Sequence, residues 1–294
     1  MQLSSEIVDT PPRMAATVIL LRQAPAGLEV FLLQRNRASD VLGGLYVFPG
    51  GKVDPADATA ATHALLDQPV AALHQALHEP DIGPATAASL YVAALREAFE
   101  ECGVLLAHTA QGQPVNPAEM AARLRDGQPF GAALAQLGVQ LQTRALLPWS
   151  RWITPRMPSL GMSKRFDTRF FVAAVPANQI AQHDNFEATA SVWLTPRTAL
   201  EQYWAGQVEL APPQIMTLAH LAPHADVASV FAAARHRAPP SVLPEPFDQD
   251  GQRVICYPGD PRHPVSERAW PGPTRLVFRN RRFEPEQGFE ALFG

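Results

Sequence analysis

The chain has 294 residues, of which 47% are hydrophobic and 18% charged, and its formal net charge is −4. This size allows a sizeable core, and the acidic balance disfavours a protein that binds nucleic acid. Two cysteines are too few for a disulfide framework, which indicates a reducing compartment. No apolar run reaches membrane-spanning length, and neither a signal peptide nor a C-terminal address can be recognised. We therefore expect a cytoplasmic protein with no membrane partner.

The first part of the chain alternates apolar runs with turns. Residues 15–22 and 28–35 flank the turn-forming QAPAG and predict a β-hairpin. Residues 45–51, LYVFPGG, predict a strand that ends in a glycine loop. From residue 58 to about 88 the chain is rich in alanine and predicts helix, interrupted by EPDIGP.

The next predicted helix, residues 85–102, has two different faces. One is apolar and consists of Tyr91, Leu95, Ala98, Phe99 and Cys102. The opposite face carries three carboxylates, which we expect to be exposed: Glu97, Glu100 and Glu101. Gly103 stands where a helix C-cap belongs.

The rest of the chain predicts a mixture of helices and strands. Residues 111–145 are rich in Gln and Ala and predict helix without a chemical signal. Further strands are predicted at 149–155, 167–176, 190–196, 253–260 and 274–280, and further helices at 197–206, 212–222 and 225–236. Strands that alternate with helices indicate an α/β sandwich with a mixed sheet.

The charged face of the helix predicts a cation site. Three neighbouring carboxylates repel one another unless a cation lies among them, and hard oxygen ligands suit Mg²⁺ or Mn²⁺. Arg96 is placed to pair with a neighbouring glutamate and fix its orientation. The glycines of FPGG would let a backbone carbonyl approach the ions. The alternative is an ordinary solvated helix face.

Two separated segments resemble one known motif. Gly51 and Asp57 in the glycine loop, together with REAFEECGV at 96–104, resemble the Nudix box of Nudix hydrolases. Residues 58–95 separate the two halves, a much longer separation than in the usual box, and Asp57 replaces the usual glutamate. The second half matches at every fixed position.

The resemblance extends to one branch of that superfamily. The segments WITP, RFDTRFF, WLTP and APPQ look like those of the peroxisomal acyl-coenzyme A diphosphatases with an interrupted box. This implies a Nudix α/β/α sandwich over residues 12–210, with a helical insertion at 58–95. Residues 211–294 would form a helical and β-hairpin extension packed on the same domain. That hairpin would either form a dimer interface, giving a homodimer, or cover the pocket; the sequence favours neither.

The resemblance also implies roles for the box residues. The Gly51 carbonyl, Glu97, Glu100 and Glu101 would hold Mg²⁺ or Mn²⁺, with Asp57 as a weaker or outer ligand. Arg96 would orient the carboxylates. The catalytic base would be Glu97 or Glu187; the alternative for Glu187 is an ordinary loop carboxylate.

Substrate contacts are predicted at five further positions. Arg35, Arg165 and Arg169 could bind phosphate through their guanidinium forks, or could form surface ion pairs. Phe48 and Trp152 could stack on a base or line a pocket, although core packing is the more frequent use of such residues.

The resulting hypothesis is a metal-dependent diphosphatase whose partner is a small nucleotide diphosphate. Its substrate would be coenzyme A or an acyl-CoA, cleaved to 3′,5′-ADP and (acyl-)4′-phosphopantetheine. One alternative is a Nudix pyrophosphatase for ADP-ribose, NADH or a similar dinucleotide. Another is a non-catalytic Nudix module for ligand sensing or protein interaction, although such modules usually lose box carboxylates.

Overall fold

The computed structural model describes residues 3–39, 41–158, 160, 162–184 and 187–294. Its strands are β1 Arg13–Ala24, β2 Gly27–Arg35, β3 Tyr46–Val47, β4 Gly50–Lys52, β5 Ala107–Thr109, β6 Val139–Leu141, β7 Leu147–Ile153, β8 Phe166–Ala174, β9 Ala188–Leu194, β10 Ser241–Val242, β11 Glu245–Gln249, β12 Gln252–Cys256, β13 Arg275–Arg279 and β14 Arg282–Glu284. Its helices are α1 Ala60–His63, α2 Val70–Leu77, α3 Pro84–Cys102, α4 Pro117–Arg125, α5 Phe130–Leu137, α6 Pro196–Trp204, α7 Pro212–Leu221 and α8 Val227–His236. Short 3₁₀ turns occupy Pro55–Ala58, Thr143–Ala145 and Phe289–Phe293.

The central sheet is mixed, as the sequence predicts. Its strands follow the order β10-β7-β8-β1-β2-β3, with β4 also paired to β1 and β9 to β2. The pairs β1–β8 and β7–β10 are parallel and the other pairs are antiparallel. The predicted hairpin is confirmed as β1 and β2.

The first two strands diverge, and the glycine loop fills the gap between them. Strand β1 pairs with β2 only over Leu21–Ala24, and its Ala15–Thr17 segment pairs with β4 instead. Strand β3 pairs with β2 at Leu33 and Gln34. The segment from β3 to β4 therefore lies inside the sheet, flanked by strands on both sides.

Alternating residues of β1 face two separate cores, because successive side chains of a strand point to opposite faces. Ala16, Val18 and Leu20 pack with α3 and the insertion, while Ile19 and Leu21 pack with α6, α7, α8 and the C-terminal strands. The predicted α/β/α sandwich is thereby confirmed.

Helix α3 matches the predicted length to within one residue but is more buried than the sequence suggests. It begins at Pro84, a residue favoured in the first helical turn, and ends at Gly103 with a φ of 69°. Residues 84–95 of the insertion are thus the first turns of the helix that carries the second half of the box. The other insertion helices, α1 and α2, cover its outer side.

The C-terminal region forms more strands than expected. Beside the two predicted strands, β11 and β14 complete a four-stranded antiparallel sheet, and β10 joins the central sheet. These strands are short, and β11 (EPFDQ) and β14 (RFE) lack an apolar strand pattern. Strand β6, which lies in the region predicted as helix, forms a separate antiparallel pair with β5. Tyr203 ties the C-terminal sheet to α6, since its hydroxyl bonds to the backbone of Phe283.

Within the described ranges, none of the helices has both the length and the apolar character that a membrane crossing requires.

Candidate active site

The glycine loop and the acidic end of α3 meet, as the sequence analysis expects. The Gly50 N–H donates to the Glu101 carboxylate at 2.8 Å. A Cβ atom at Gly51 would lie 2.4 Å from Glu97 Oε1, which no ordinary contact allows. A residue with a side chain could not occupy that position without displacing the Glu97 carboxylate.

Arg96 is the centre of the hydrogen bonds around the loop. Its side chain is buried, and its Nε and Nη2 donate to the two oxygens of Asp57, each at 3.0 Å. Nη2 also donates to the Lys52 carbonyl at 3.0 Å. Nη1 donates to Glu97 and to Glu100, each at 2.8 Å. One guanidinium thus holds the loop, the 3₁₀ turn and two box carboxylates together.

Asp57 is bonded to the Arg96 guanidinium and to the backbone of its own turn. It is 2% exposed, and its Oδ2 accepts from the Asp54 N–H at 2.8 Å in addition to the bonds from Arg96. These contacts give Asp57 the task of holding Arg96, and its expected part as an outer metal ligand has no support in the geometry.

The expectation that all three carboxylates of α3 are exposed is wrong for Glu101. Glu100 is exposed, Glu97 is intermediate and Glu101 is only 5% exposed. The reason is that the loop covers this part of α3, so Glu101 lies beneath the Gly50 amide rather than in solvent.

The ladder between β1 and β4 distinguishes the two loop glycines. In an antiparallel ladder, every second pair of opposite residues is joined by backbone hydrogen bonds. The backbone hydrogen bonds two residues before and two residues after Gly51 show that Gly51 and Ala16 form such a hydrogen-bonded pair. The Gly51 carbonyl is therefore directed at the β1 backbone. Gly50 occupies the alternate position, with its N–H directed away from β1 to Glu101. The alternation favours the Gly50 carbonyl over the expected Gly51 carbonyl as a group that faces the carboxylates.

The two less exposed carboxyl groups resist ionisation. Burial raises the pKa of Glu97 to about 7, although the charge and hydrogen bond of Arg96 act in the opposite direction. Burial and then the charge of Glu97 raise the pKa of Glu101 to about 8, although the Gly50 N–H bond lowers it. A divalent cation would stabilise the ionised forms of both groups.

The donor set fits a divalent ion, but the side chains are not arranged around one point. Glu97, Glu100 and Glu101 supply the hard oxygen atoms that Mg²⁺ and Mn²⁺ bind. Among the residues that the structure describes, no three acidic, histidine or cysteine side chains form a metal-holding group. Glu97 and Glu100 are both turned to Arg96. Binding an ion therefore requires these two side chains to rotate, which their length allows.

A cavity of about 590 Å³ opens beside this cluster. Gly50, Gly51 and Glu97 form part of its wall, together with Arg35 and Glu187. Its other lining includes residues of β1, β7, β8, the loop between β7 and β8, the first turn of α7 and the C-terminal region. The hairpin expected either to dimerise or to cover the pocket thus contributes to the wall, through Ile255 of β12.

Arg35 and Glu187 lie next to each other at the cavity. An Nη atom of Arg35 is 3.6 Å from the Glu187 carboxylate, and the other is 3.9 Å from Glu101. The Arg35 Nε is buried, and none of the residues that the structure describes accepts a hydrogen bond from it. A guanidinium with such long contacts has donors available for an anionic ligand.

The predicted aromatic residues reach the cavity, and two predicted arginines do not. Phe48 and Trp152 both line the cavity while packing on neighbouring rings, Phe48 edge-on to Phe170 at 6.3 Å. Arg165 bonds to the backbone carbonyls of Thr154 and Thr10.

Arg169 lies on the opposite face of the sheet, because it alternates with the cavity-lining residues of β8. It is 2% exposed and pairs with Glu79 and Asp167. Neither Arg165 nor Arg169 lines the cavity, so their expected substrate contacts have no support in the geometry.

Several lining residues were not predicted from the sequence. Arg13, Lys52 and Gln214 line the cavity, although no role was expected for them. Gln214 belongs to the APPQ segment, and the resemblance of that segment to known relatives was the one feature of the sequence that could have indicated a site there. No feature of the sequence marks Arg13 and Lys52, because only strand pairing brings them to the same face.

Residues 12–221 match the family model of the NUDT19 Nudix domain. The chain belongs to this family of Nudix hydrolases. The match runs past the boundary expected at residue 210 and includes α7, whose first turn lines the cavity.

Individual relatives agree with this assignment. The chain is 29% identical to the acyl-coenzyme A diphosphatase NUDT19 of Gallus gallus, over 71% of this chain and 68% of that protein. It is 26% identical to the Xenopus laevis protein of the same name, over 66% of this chain, and spans 59% of that protein. A NUDIX hydrolase structure from Alicyclobacillus acidocaldarius is 29% identical, with a TM-score of 0.63, over 76% of this chain and 97% of that one.

Proposed function

We propose that the chain hydrolyses the diphosphate bond of coenzyme A or an acyl-CoA, giving 3′,5′-ADP and (acyl-)4′-phosphopantetheine. The names of the frog and chicken relatives support this substrate class. The observation that carries the proposal is a cavity whose wall contains Glu97 of the carboxylate cluster, the glycine loop and the weakly paired guanidinium of Arg35.

Mg²⁺ or Mn²⁺ is the cofactor that this donor set fits. Glu97, Glu100, Glu101 and the Gly50 carbonyl would hold it, and when bound it would neutralise the diphosphate and make a water molecule more acidic. Arg96 would keep the cluster next to the loop throughout, because its bonds to Asp57 and Lys52 do not depend on the rotating glutamates.

The reaction needs water as its only co-reactant. A water oxygen bonds to one phosphorus, the bond from that phosphorus to the bridging oxygen breaks, and two phosphomonoesters result. Arg35 is placed to bind a diphosphate oxygen, since it lines the cavity beside the loop. Glu187 is the stronger of the two candidates to accept the proton of the attacking water. Its side chain is 63% exposed and not held by Arg96, whereas Glu97 is.

A substrate comparison tests this proposal. Metal-free protein would be supplied with Mg²⁺ or Mn²⁺ and given coenzyme A, an acyl-CoA, ADP-ribose or NADH, with the products identified by mass. We expect coenzyme A or its thioester to have the highest kcat/KM, with 3′,5′-ADP among the products. Equal or faster turnover of ADP-ribose or NADH would instead favour the dinucleotide alternative. The cytoplasmic location and the homodimer expected from the sequence stay predictions.

A further inference from the structure

Two polar side-chain atoms in the cavity wall have no hydrogen-bond partner among the residues that the structure describes. They are Trp152 Nε1 and Gln214 Oε1, which are both buried and belong to cavity-lining residues. Gln214 is only 6% exposed. A buried donor or acceptor without a partner is costly, so two at one cavity point to a ligand that supplies the missing partners.

Strand register places Trp152 at a defined distance from the glycine loop. Lys52 is opposite Ala15, Ala15 is opposite Thr168, and Thr168 is opposite Trp152, so the four residues form one row across β4, β1, β8 and β7. All four line the cavity. Three strand spacings of about 4.8 Å give a row of about 14 Å from the loop to Trp152. We call this row the cavity floor.

The remaining walls near this floor are largely apolar. They include Phe48, Phe166, Phe170, Pro212, Pro213 and Ile255. A sugar ring has a hydroxyl on nearly every carbon and would leave these hydroxyls unpaired against such walls. A flexible arm with alkyl segments and a few amide groups matches these apolar walls better than a sugar does. Such an arm has few polar groups, and a small number of donors and acceptors in the wall can pair with them.

We propose that the cavity floor binds the amide-bearing arm attached to the diphosphate, with one amide group of the arm paired to Trp152 and Gln214. This inference rests on the proposed function, in which that arm is the pantetheine of coenzyme A. An extended arm spans roughly 3.5 Å for every three bonds, so about a dozen bonds from the phosphate reach the end of the 14 Å floor. The indole N–H donates to the amide oxygen of the arm, and the Gln214 oxygen accepts from its N–H.

Gln214 can make this contact without a change in the backbone. Its amide oxygen and nitrogen exchange places when the terminal torsion turns, so either atom can face the ligand. Gln214 lies in the first turn of α7, which lines the cavity. The pair Trp152 and Gln214 therefore supplies one donor and one acceptor in a part of the cavity whose walls are largely apolar.

Gln214→Met provides the test, because methionine keeps the length and flexibility of glutamine and removes its hydrogen bonds. The matched control is Thr217→Val. Thr217 lies one turn further along α7, is also buried with an unpaired oxygen, and is not among the cavity-lining residues. Binding of 4′-phosphopantetheine and of 3′,5′-ADP would be measured by calorimetry for the wild type and both variants, beside kcat/KM for coenzyme A.

We expect Gln214→Met to weaken 4′-phosphopantetheine binding about tenfold, in line with the loss of one hydrogen bond, and to leave 3′,5′-ADP binding unchanged. Thr217→Val should change neither. Thermal unfolding should show no loss of stability for Gln214→Met, which excludes misfolding as the cause. Trp152→Phe is a second variant that should show the same selectivity.

Equal weakening of both ligands, or no weakening of either, in Gln214→Met and Trp152→Phe would overturn the inference. Wild-type protein that leaves coenzyme A intact would overturn the proposed function. The binding measurement distinguishes failure of the proposed function from failure of the inference about the cavity floor. If the wild type cleaves coenzyme A but the variants keep normal phosphopantetheine binding, only the inference is lost.

Discussion

The two ends of the cavity are built by different means. At one end, the carboxylate cluster of Glu97, Glu100 and Glu101 comes from one turn of α3, where Arg96 holds Glu97 and Glu100 and the Gly50 N–H holds Glu101. The other end, at Trp152, is reached along the cavity floor, which four strands assemble, and a helix more than a hundred residues after the box contributes to the cavity wall. The first end is charged and local in sequence, and the second is lined mainly by apolar side chains and assembled only by folding.

This difference separates chemistry from selectivity. Changes at the cluster should affect every substrate, because they alter the step common to all diphosphates. Changes at the floor should affect only substrates with the matching arm. The comparison fails if mutations at the cluster change substrate preference as strongly as mutations at the floor.

The largest effect is expected for Glu100→Gln. Loss of a metal-ligand charge removes several kcal/mol of transition-state stabilisation, and at about 1.4 kcal/mol for each factor of ten this lowers kcat by about 10³. Because Glu100 is exposed, the melting temperature should stay near that of the wild type. Glu119→Gln, an exposed glutamate on α4, is the control and should leave kcat unchanged. Normal turnover by Glu100→Gln would remove this residue from the metal site.

Arg96→Met should lower stability most. Removing one partner of a buried ion pair leaves Asp57 uncompensated, and the expected loss is about 3 kcal/mol in the free energy of unfolding, measured by urea titration. The exposed Arg197, which pairs with Glu201 and Glu290, provides the matched variant Arg197→Met, for which little change is expected. Similar stability of the two variants would show that Arg96 does not hold the loop to α3.

Glu187→Gln should reduce kcat by about 10² and leave KM almost unchanged, because a general base contributes to the transition state more than to binding. Single-turnover kinetics with saturating coenzyme A would measure the chemical step directly. A rate within a factor of two of the wild type would assign the proton to Glu97 or to solvent instead. Assignment to Glu97 would sharpen the comparison by placing the base inside the carboxylate cluster.

The sequence predicted the parts of the fold that depend on local pattern. The β1–β2 hairpin, the strands β7 to β9 and the apolar face of α3 follow from residue periodicity, which acts within one element. The burial of Glu101 could not be predicted, because it depends on the loop that crosses α3 about fifty residues away in sequence.

The same limit applies to the site residues. Arg35 and Glu187 lie at the cavity where they were expected, because each ends or precedes a predicted strand near the loop. Arg169 lies on the opposite face, since a shift of one residue along a strand reverses the face, and no sequence pattern fixed that register. The strands β11 and β14 were missed because their short, charged segments are stabilised by neighbours rather than by their own composition.

Manganese binding tests the central claim, which is that the glycine loop and the carboxylates of α3 form one ion site beside the cavity. Metal-free wild-type protein would be titrated with Mn²⁺ while the free ion is followed by electron paramagnetic resonance. We expect the wild type to remove the free-ion signal and Glu101→Gln to leave most of it. Equal binding by the two proteins, or no binding by the wild type at millimolar Mn²⁺, would contradict the account.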